Sequence, residues 1–362
     1  MVTPPWLDTP GPIRPGEEID KERLCSYLLT VLPHLEDQRL HIQQFPSGYS
    51  NLTYLIQAGS ESMILRRPPV GVKIATAHDM SREFKILSAL HPVYGKVPEP
   101  LVFCGDSNVI GSPFYLMEHV EGVILRRDIN LAIVPSPELT SEIAGSLVDT
   151  LAELHDVDWA GAGLGGLGRP EGYTERQIAG WTKRYGLSET DMIPEARQVA
   201  TWLANNIPQP QPASLIHNDF KHDNVVLDSS DWSNVTAVLD WEMATLGDPL
   251  MDLGTFLAYW IEPTDSPELI ESRLTPTILP GTPTRVEIAQ RYIQATGHPQ
   301  ENIVFYYTYG LFKVAVIVQQ LYSRYVNGRT SDPRYARLIK GVGALFSTAR
   351  RAIDRGRIDD LA

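Results

Sequence analysis

The chain predicts an α+β fold of two lobes. Two observations carry this. Short strand-like segments dominate up to about residue 119, and helical periodicity dominates after residue 122. In addition, His217-Asn218-Asp219-Phe220-Lys221-His222-Asp223-Asn224 is followed sixteen residues later by Asp240-Trp241-Glu242, around what reads as one hairpin. With 362 residues and 43% hydrophobic content, the chain has ample core material for about two domains. Residues 1–18, rich in Pro and Gly, read as an arm, 19–119 as a smaller sheet-bearing lobe and 120–362 as a larger, mostly helical lobe.

In chain order, residues 19–32 carry apolar side chains at helical spacing (Ile19, Leu24, Tyr27, Leu28, Val31). Residues 40–44 and 53–58 read as short strands flanking Phe45 to Leu52, and 62–66 as a third strand stopped by Pro68-Pro69. Thr76-Ala77-His78-Asp79 is close to capping-box form and opens a helix through Leu90. Strands at 101–104 and 114–119 complete this part. Helices are expected at 138–155, 175–185, 195–205, 253–260, 284–296, 302–327 and 332–354, with a hairpin at 225–239 whose turn lies in 228–234. The glycine-rich run 161–168 follows no clear strand and precedes no immediate helix, so it reads as a connection rather than a nucleotide loop.

Bulk properties exclude several classes. A net charge of −13 argues against a general nucleic-acid binder. The two cysteines form no CxxC pair or Cys/His cluster, which argues against a disulfide scaffold or zinc site and fits a reducing, cytoplasmic setting. The N-terminus has no apolar run of the signal-peptide kind. Residues 303–321 are long enough to suggest a membrane span, but Lys313 and three tyrosines interrupt them, and a buried helix is expected. Charge is uneven: from Thr255 onward the balance is 13 basic to 10 acidic residues, and between Arg324 and Arg357 nine basic residues face two acidic ones. That cluster is either a substrate-facing surface or a solvated helix face.

The residue types in the polar cluster suit phosphoryl transfer. Asp219 can orient or deprotonate a hydroxyl nucleophile, although a turn Asp satisfied by backbone is the plainer alternative. Lys221 can balance transferred charge as a point cation, or simply be a surface lysine. Asn224 and Asp240 are oxygen ligands of the type Mg²⁺ takes alongside phosphates and water. Glu242, on the same face as Asp240 if the strand continues, is either a ligand to a second metal or an ion-pair partner.

His217-x-Asp219-x-Lys221-x-x-Asn224 resembles the catalytic loop of protein-kinase-like folds, with Asp240-Trp241-Glu242 where those have D-F-G. Together with Gly247-Asp248-Pro249-x-x-Asp252-Leu253, it resembles the aminoglycoside phosphotransferase and choline kinase branch. Within that branch it resembles most the kinase-like domains related to those fused to some acyl-CoA dehydrogenases, on strings such as SNLTY, LRRPP and HNDFK-x-DN. The likeness spans roughly residues 35–330. It implies a bilobal kinase-like fold that uses ATP and Mg²⁺. By the same likeness, Ser47, Gly48, Ser50 and Asn51 occupy the phosphate-covering loop, with one glycine where the usual pattern has several. Arg66 takes the place of the phosphate-gripping lysine, with a planar fork instead of a point charge, and Glu83 is its helix partner. Met117, Glu118 and His119 mark the adenine-side hinge, and Asp252 braces the catalytic loop. Trp181, Arg184 and Tyr185 are read as packing rather than recognition.

The expected function is an ATP- and Mg²⁺-dependent phosphotransferase acting on a hydroxyl of a small molecule. The net basic C-terminal part favours a neutral or anionic acceptor, such as a hydroxyacyl-CoA, over a polycationic aminoglycoside. An aminoglycoside phosphotransferase and a non-catalytic nucleotide-binding protein are the alternatives. A protein kinase ranks lower, because Gly247-Asp248-Pro249 follows Asp240 too closely for an activation loop.

Overall fold

The computed structural model describes residues 9–36, 38–46, 51–69, 79–127, 134–330 and 332–362. Ser47, Gly48, Ser50 and Thr76 lie outside them. The chain divides into two compact units: Met1–Ile124, Ala162–Leu164 and Val225–Met243 in the first, and Leu125–Gly161, Gly165–Asn224 and Ala244–Ala362 in the second. The hairpin at 225–243 thus clusters with the strand-rich part, although it lies within the helical half of the sequence.

The first unit is built on strands β1 (Leu40–Gln44), β2 (Leu52–Ala58), β3 (Glu61–Arg67), β4 (Pro100–Cys104) and β5 (Phe114–Glu118), in spatial order β1-β2-β3-β5-β4 with every neighbour antiparallel. Its helices are α1 (Lys21–Val31), α2 (Met80–Leu90) and the single turn α3 (Ser107–Ile110). Strand alternation decides what β3 presents to each side. Met63 and Leu65 join Leu24 and Leu28 of α1 in the apolar core, while Arg66, on the opposite face, meets α2. Arg67 turns back to the α1 side, where it donates to the Glu17 carbonyl (2.7 Å) and the Tyr54 hydroxyl (2.9 Å). Part of the N-terminal arm is tied down as well: Gly11 and Gln44 exchange backbone hydrogen bonds of 2.8 and 2.9 Å.

Thr76, expected to open α2, lies outside the described residues. Asp79 itself is the cap, its carboxylate accepting from the Arg82 N–H at 3.1 Å, and the helix begins at Met80. A short acidic side chain placed just before the first unpaired N–H groups satisfies one of them directly.

The hairpin strands are β7 (Val225–Leu227) and β8 (Val235–Val238), and the second unit adds β6 (Ser214–Ile216) paired with β9 (Thr245–Gly247). Its helices are α4 (Pro137–His155), α5 (Tyr173–Ser188), α6 (Pro194–Asn205), α7 (Pro249–Tyr259), α8 (Pro267–Glu271), α9 (Arg285–Thr296), α10 (Ile303–Val326) and α11 (Leu338–Arg355). Sequence patterning finds most of these helices but not β6 and β9, whose three residues are too short for a periodic signal. The stretch expected as one helix from 332 is a 3₁₀ segment, Pro333–Arg337, ahead of α11.

Helices α7 and α10 pack backbone to backbone. A Cβ on Gly254 would lie 2.0 Å from the Tyr306 carbonyl oxygen, and one on Gly310 would lie 2.0 Å from the Gly254 carbonyl oxygen. Glycine at both positions is what permits that approach. No described helix is long and apolar enough to cross a membrane, α10 included.

Candidate active site

In the first unit, the functional candidates form one ionic chain. Arg66, 7% exposed, donates Nη1–H to Glu83 Oε1 and Nη2–H to Asp240 Oδ1, each at 2.8 Å. The planar guanidinium spans two carboxylates at once, which a lysine at this position would not do with fixed geometry. Burial works against the Arg66 charge, but Glu83, Tyr115, Asp240 and Glu242 outweigh it and hold the cation. Burial pushes the Glu83 carboxyl up against the pull of Arg66, and Asp240 pushes it in the same direction. The pair is buried, not the surface ion pair of small value that such residues most often form.

Asp240 has φ of +66°, in the left-handed region where Asp is among the few tolerated non-glycine residues. The chain then turns into a 3₁₀ segment, Trp241–Met243, so extension does not continue and the same-face premise for Glu242 fails. The Glu242 carboxylate instead accepts from the Asn51 amide at 2.7 Å, and its carbonyl accepts from Arg82 at 3.0 Å. Among the hinge candidates, Met117 is buried on β5, and the Glu118 N–H donates to the Glu99 carbonyl at 2.8 Å. The His119 ring lies 3.1 Å from the Ser62 hydroxyl, and burial lowers its pKa. The Glu118 N–H is therefore already engaged.

In the second unit, the loop 217–224 is anchored from beneath. The Asp252 carboxylate, on α7, accepts from the His217 N–H (2.7 Å) with one oxygen and from the Asn218 N–H (2.8 Å) with the other. His155 of α4 lies 3.2 Å from the same carboxylate, and its other ring nitrogen is 2.6 Å from the Tyr292 hydroxyl. Burial alone would raise the Asp252 pKa, but His155, His217 and Lys313 reverse the direction and lower it. Asn218 adopts φ of +68°, the second left-handed site residue. Strained backbone of this kind persists where surrounding contacts over-determine it, and it concentrates at functional sites.

That anchoring presents the Asp219 carboxylate with three partners. Tyr259, the last residue of α7, donates its hydroxyl to Oδ1 at 2.7 Å; Lys221 Nζ and the Asn224 amide (3.1 Å) donate to Oδ2. The Asn224 amide also reaches the Asp219 carbonyl at 2.9 Å. Burial and the Asp219 charge push the Tyr259 hydroxyl well above its ordinary pKa, which keeps it a donor. Lys221 Nζ also sits 5.4 Å from the centre of the Tyr259 ring, within cation–π range. His222 is neutral, its pKa lowered to about 4 by burial, and so is no phosphate-binding cation. Asn224 immediately precedes β7, and Asp240 follows β8 by two residues in a hairpin that pairs Val225 with Val238.

Asp219, Lys221 and Asn224 are thus brought together in one unit, and Asn51, Arg66, Glu83, Asp240 and Glu242 in the other. Sequence reading missed Tyr259, Lys313 and His155. Trp181 is buried with Arg184 stacked 4.5 Å from its ring centre, and Tyr185 packs edge-on to Phe346. Three of the nine basic residues of the C-terminal cluster pair with nearby aspartates: Arg334 with Asp332, Arg350 with Asp354, and Arg357 with Asp359.

The fold is that of the kinase-like phosphotransferases. The model of the phosphotransferase enzyme family APH matches residues 41–286, and the chain belongs to that family. Acyl-CoA dehydrogenase family member 11 of Rattus norvegicus is 38% identical over 327 residues, a match covering 88% of this chain and 41% of the relative. The chain therefore spans about two fifths of the length of that relative, and the likeness to kinase-like domains fused to acyl-CoA dehydrogenases holds. A solved structure of a provisionally assigned aminoglycoside phosphotransferase from Ralstonia eutropha is 30% identical with a TM-score of 0.73, covering 91% of this chain and 98% of that one. Aminoglycoside phosphotransferase APH(4)-Ia, solved with AMP-PNP and hygromycin B, shares the fold at 15% identity and a TM-score of 0.55, over 88% of this chain and 97% of that one.

Proposed function

We propose that the chain is an ATP- and Mg²⁺-dependent kinase that phosphorylates a hydroxyl of a small neutral or anionic molecule, a hydroxyacyl-CoA being the leading candidate. The observation that carries it is the Asp219 carboxylate, oriented by Tyr259, Lys221 and Asn224 on a loop pinned by Asp252. In this role Asp219 accepts the hydroxyl proton as the oxygen bonds to the γ-phosphorus of ATP, the bond from that phosphorus to the β,γ-bridging oxygen breaks and ADP leaves with that oxygen, while Lys221 offsets charge on the moving phosphoryl group. Arg66, kept in place by Glu83, holds donor phosphates as a fork. Ser47, Gly48, Ser50 and Asn51 cover those phosphates, and Met117 to His119 receive the adenine.

The donor chemistry fits Mg²⁺. Asn224 and Asp240 offer an amide and a carboxylate oxygen, and no cluster of three or more His, Cys, Asp or Glu among the described residues forms an all-protein cage. These residues would hold an ion completed by phosphate and water, which would neutralise charge on the phosphates. Glu242, engaged by Asn51, is assigned to bracing Asp240's segment rather than to a second metal. The nucleotide in the APH(4)-Ia complex and the acyl-CoA dehydrogenase name of the fused relatives support the donor and the acceptor class respectively.

Pairing of Arg334, Arg350 and Arg357 with aspartates removes part of the charge case against polycationic acceptors, and the names of the structural neighbours keep aminoglycosides as the second reading. The test is a profile of Mg²⁺·ATP turnover across hydroxyacyl-CoAs, aminoglycosides and amino alcohols. Turnover on hydroxyacyl-CoAs is expected; turnover confined to aminoglycosides would reassign the acceptor. Nucleotide binding without turnover on any of them would favour the non-catalytic alternative.

A further inference from the structure

Lys313 lies in the middle of α10, 1% exposed, far from any solvent it would prefer. A buried ammonium is costly and persists only where it is paired and hydrogen-bonded. Its Nζ donates to the backbone carbonyl of Asn218 and, at 3.1 Å, to the Asn218 side-chain oxygen, which also accepts from the Tyr173 hydroxyl at 3.1 Å. The Asn218 carbonyl belongs to the peptide group that leads into Asp219. The other end of that peptide, the Asp219 N–H, donates to His217 Nδ1 at 3.2 Å. The plane from which the Asp219 side chain departs is therefore fixed at both ends, and its preceding residue is held at a positive φ.

We propose that Lys313 is a positioning residue for phosphoryl transfer: by fixing the Asn218–Asp219 peptide it sets the direction in which Asp219 meets the acceptor hydroxyl. This rests on the kinase reading above. It differs from a packing role because α10 could bury a methionine at this point at no electrostatic cost. Small displacements of a reacting group are expensive in rate, so the effect belongs in kcat and not in nucleotide binding. The charged and titratable groups around Lys313 are Asp252 of α7, Asp219 and Lys221 of the loop, and Arg184 and Tyr173 of α5. Burial, assisted by Lys221 and Arg184 and opposed by Asp252 and Asp219, lowers the Lys313 pKa to about 8. The hold on Asn218 therefore weakens within an accessible pH range.

The experiment measures ADP release from Mg²⁺·ATP with hydroxyacyl-CoA acceptors, and ATP affinity by calorimetry, for wild type, Lys313→Met and Lys313→Arg. Lys313→Met is expected to lose about 10- to 100-fold in kcat with ATP affinity unchanged. Lys313→Arg, which keeps the charge, is expected to recover part of that loss and to move the alkaline fall of kcat, near pH 8 in wild type, to higher pH. Lys313→Met turning over like wild type would overturn the inference while leaving the kinase reading intact. Should Lys313→Met not fold, the pH profiles decide: coincident alkaline limbs for wild type and Lys313→Arg would overturn it. Absence of turnover in wild type itself on hydroxyacyl-CoAs, aminoglycosides and amino alcohols alike would remove both.

Discussion

At the scale of single residues, the proposed chemistry depends on one carboxylate with a defined orientation. Tyr259 contributes a hydrogen bond to a charged acceptor, worth about 1.5–3 kcal/mol. Tyr259→Phe should then lower kcat by about 10- to 100-fold while leaving ATP affinity alone, since each 1.4 kcal/mol is about tenfold in rate; steady-state kinetics at saturating ATP check this. Asp219, Lys221, Asn224 and Asp240 were legible in the sequence because their spacing is itself the signal. Tyr259 and Lys313 were not. They lie 40 and 95 residues from the atoms they contact, inside apolar helices where periodicity reports burial and nothing of a polar tip. Lys313 read in sequence as an interruption of an apolar run, and its partner emerges only with the fold. For Glu242 the same-face premise does not hold: a two-residue face argument works only while the strand lasts, and β8 ends at Val238, ahead of the left-handed Asp240.

At the scale of elements, α7 and α10 carry the loop's support, and their glycine contact sets how near they come. Gly310→Ala places a methyl 2.0 Å from a carbonyl oxygen, so the helices must separate. Overpacking of this kind costs about 1–3 kcal/mol, and denaturant unfolding should show at least that loss, with activity falling because Tyr259 and Lys313 ride on these helices. Asp252 makes the loop's anchoring sensitive to acid. Its folded pKa is lowered, so its stabilisation is complete above the unfolded value of about 4 and is lost as pH falls through the lower folded value. Asp252→Asn keeps one acceptor where two N–H groups need one each, and should cost about 1–3 kcal/mol at neutral pH. Unfolding followed from pH 7 downward should show the gap between wild type and variant closing below about pH 4. Helices α4 to α7 and α9 to α11 were largely legible from apolar spacing. The strands β6 and β9, which flank the loop and α7, were not, because three residues carry no period.

At the scale of the whole molecule, the charge pattern carries less than the sequence suggested. Three of the nine basic residues that leaned the expectation toward an anionic acceptor, Arg334, Arg350 and Arg357, are committed to neighbouring aspartates, two of which, Asp359 and Asp360, lie just past the cluster. The proposed hydroxyacyl-CoA acceptor thus rests on the fused relatives together with what remains of the charge bias. The central claim, phosphoryl transfer to a hydroxyl by way of Asp219, is tested most directly by mass spectrometry of acceptors incubated with Mg²⁺·ATP and either wild type or Asp219→Ala. The account predicts one added phosphoryl group on a hydroxyl-bearing acceptor with wild type and nearly none with Asp219→Ala, ATP binding being retained. Equal phosphorylation by both proteins would contradict it.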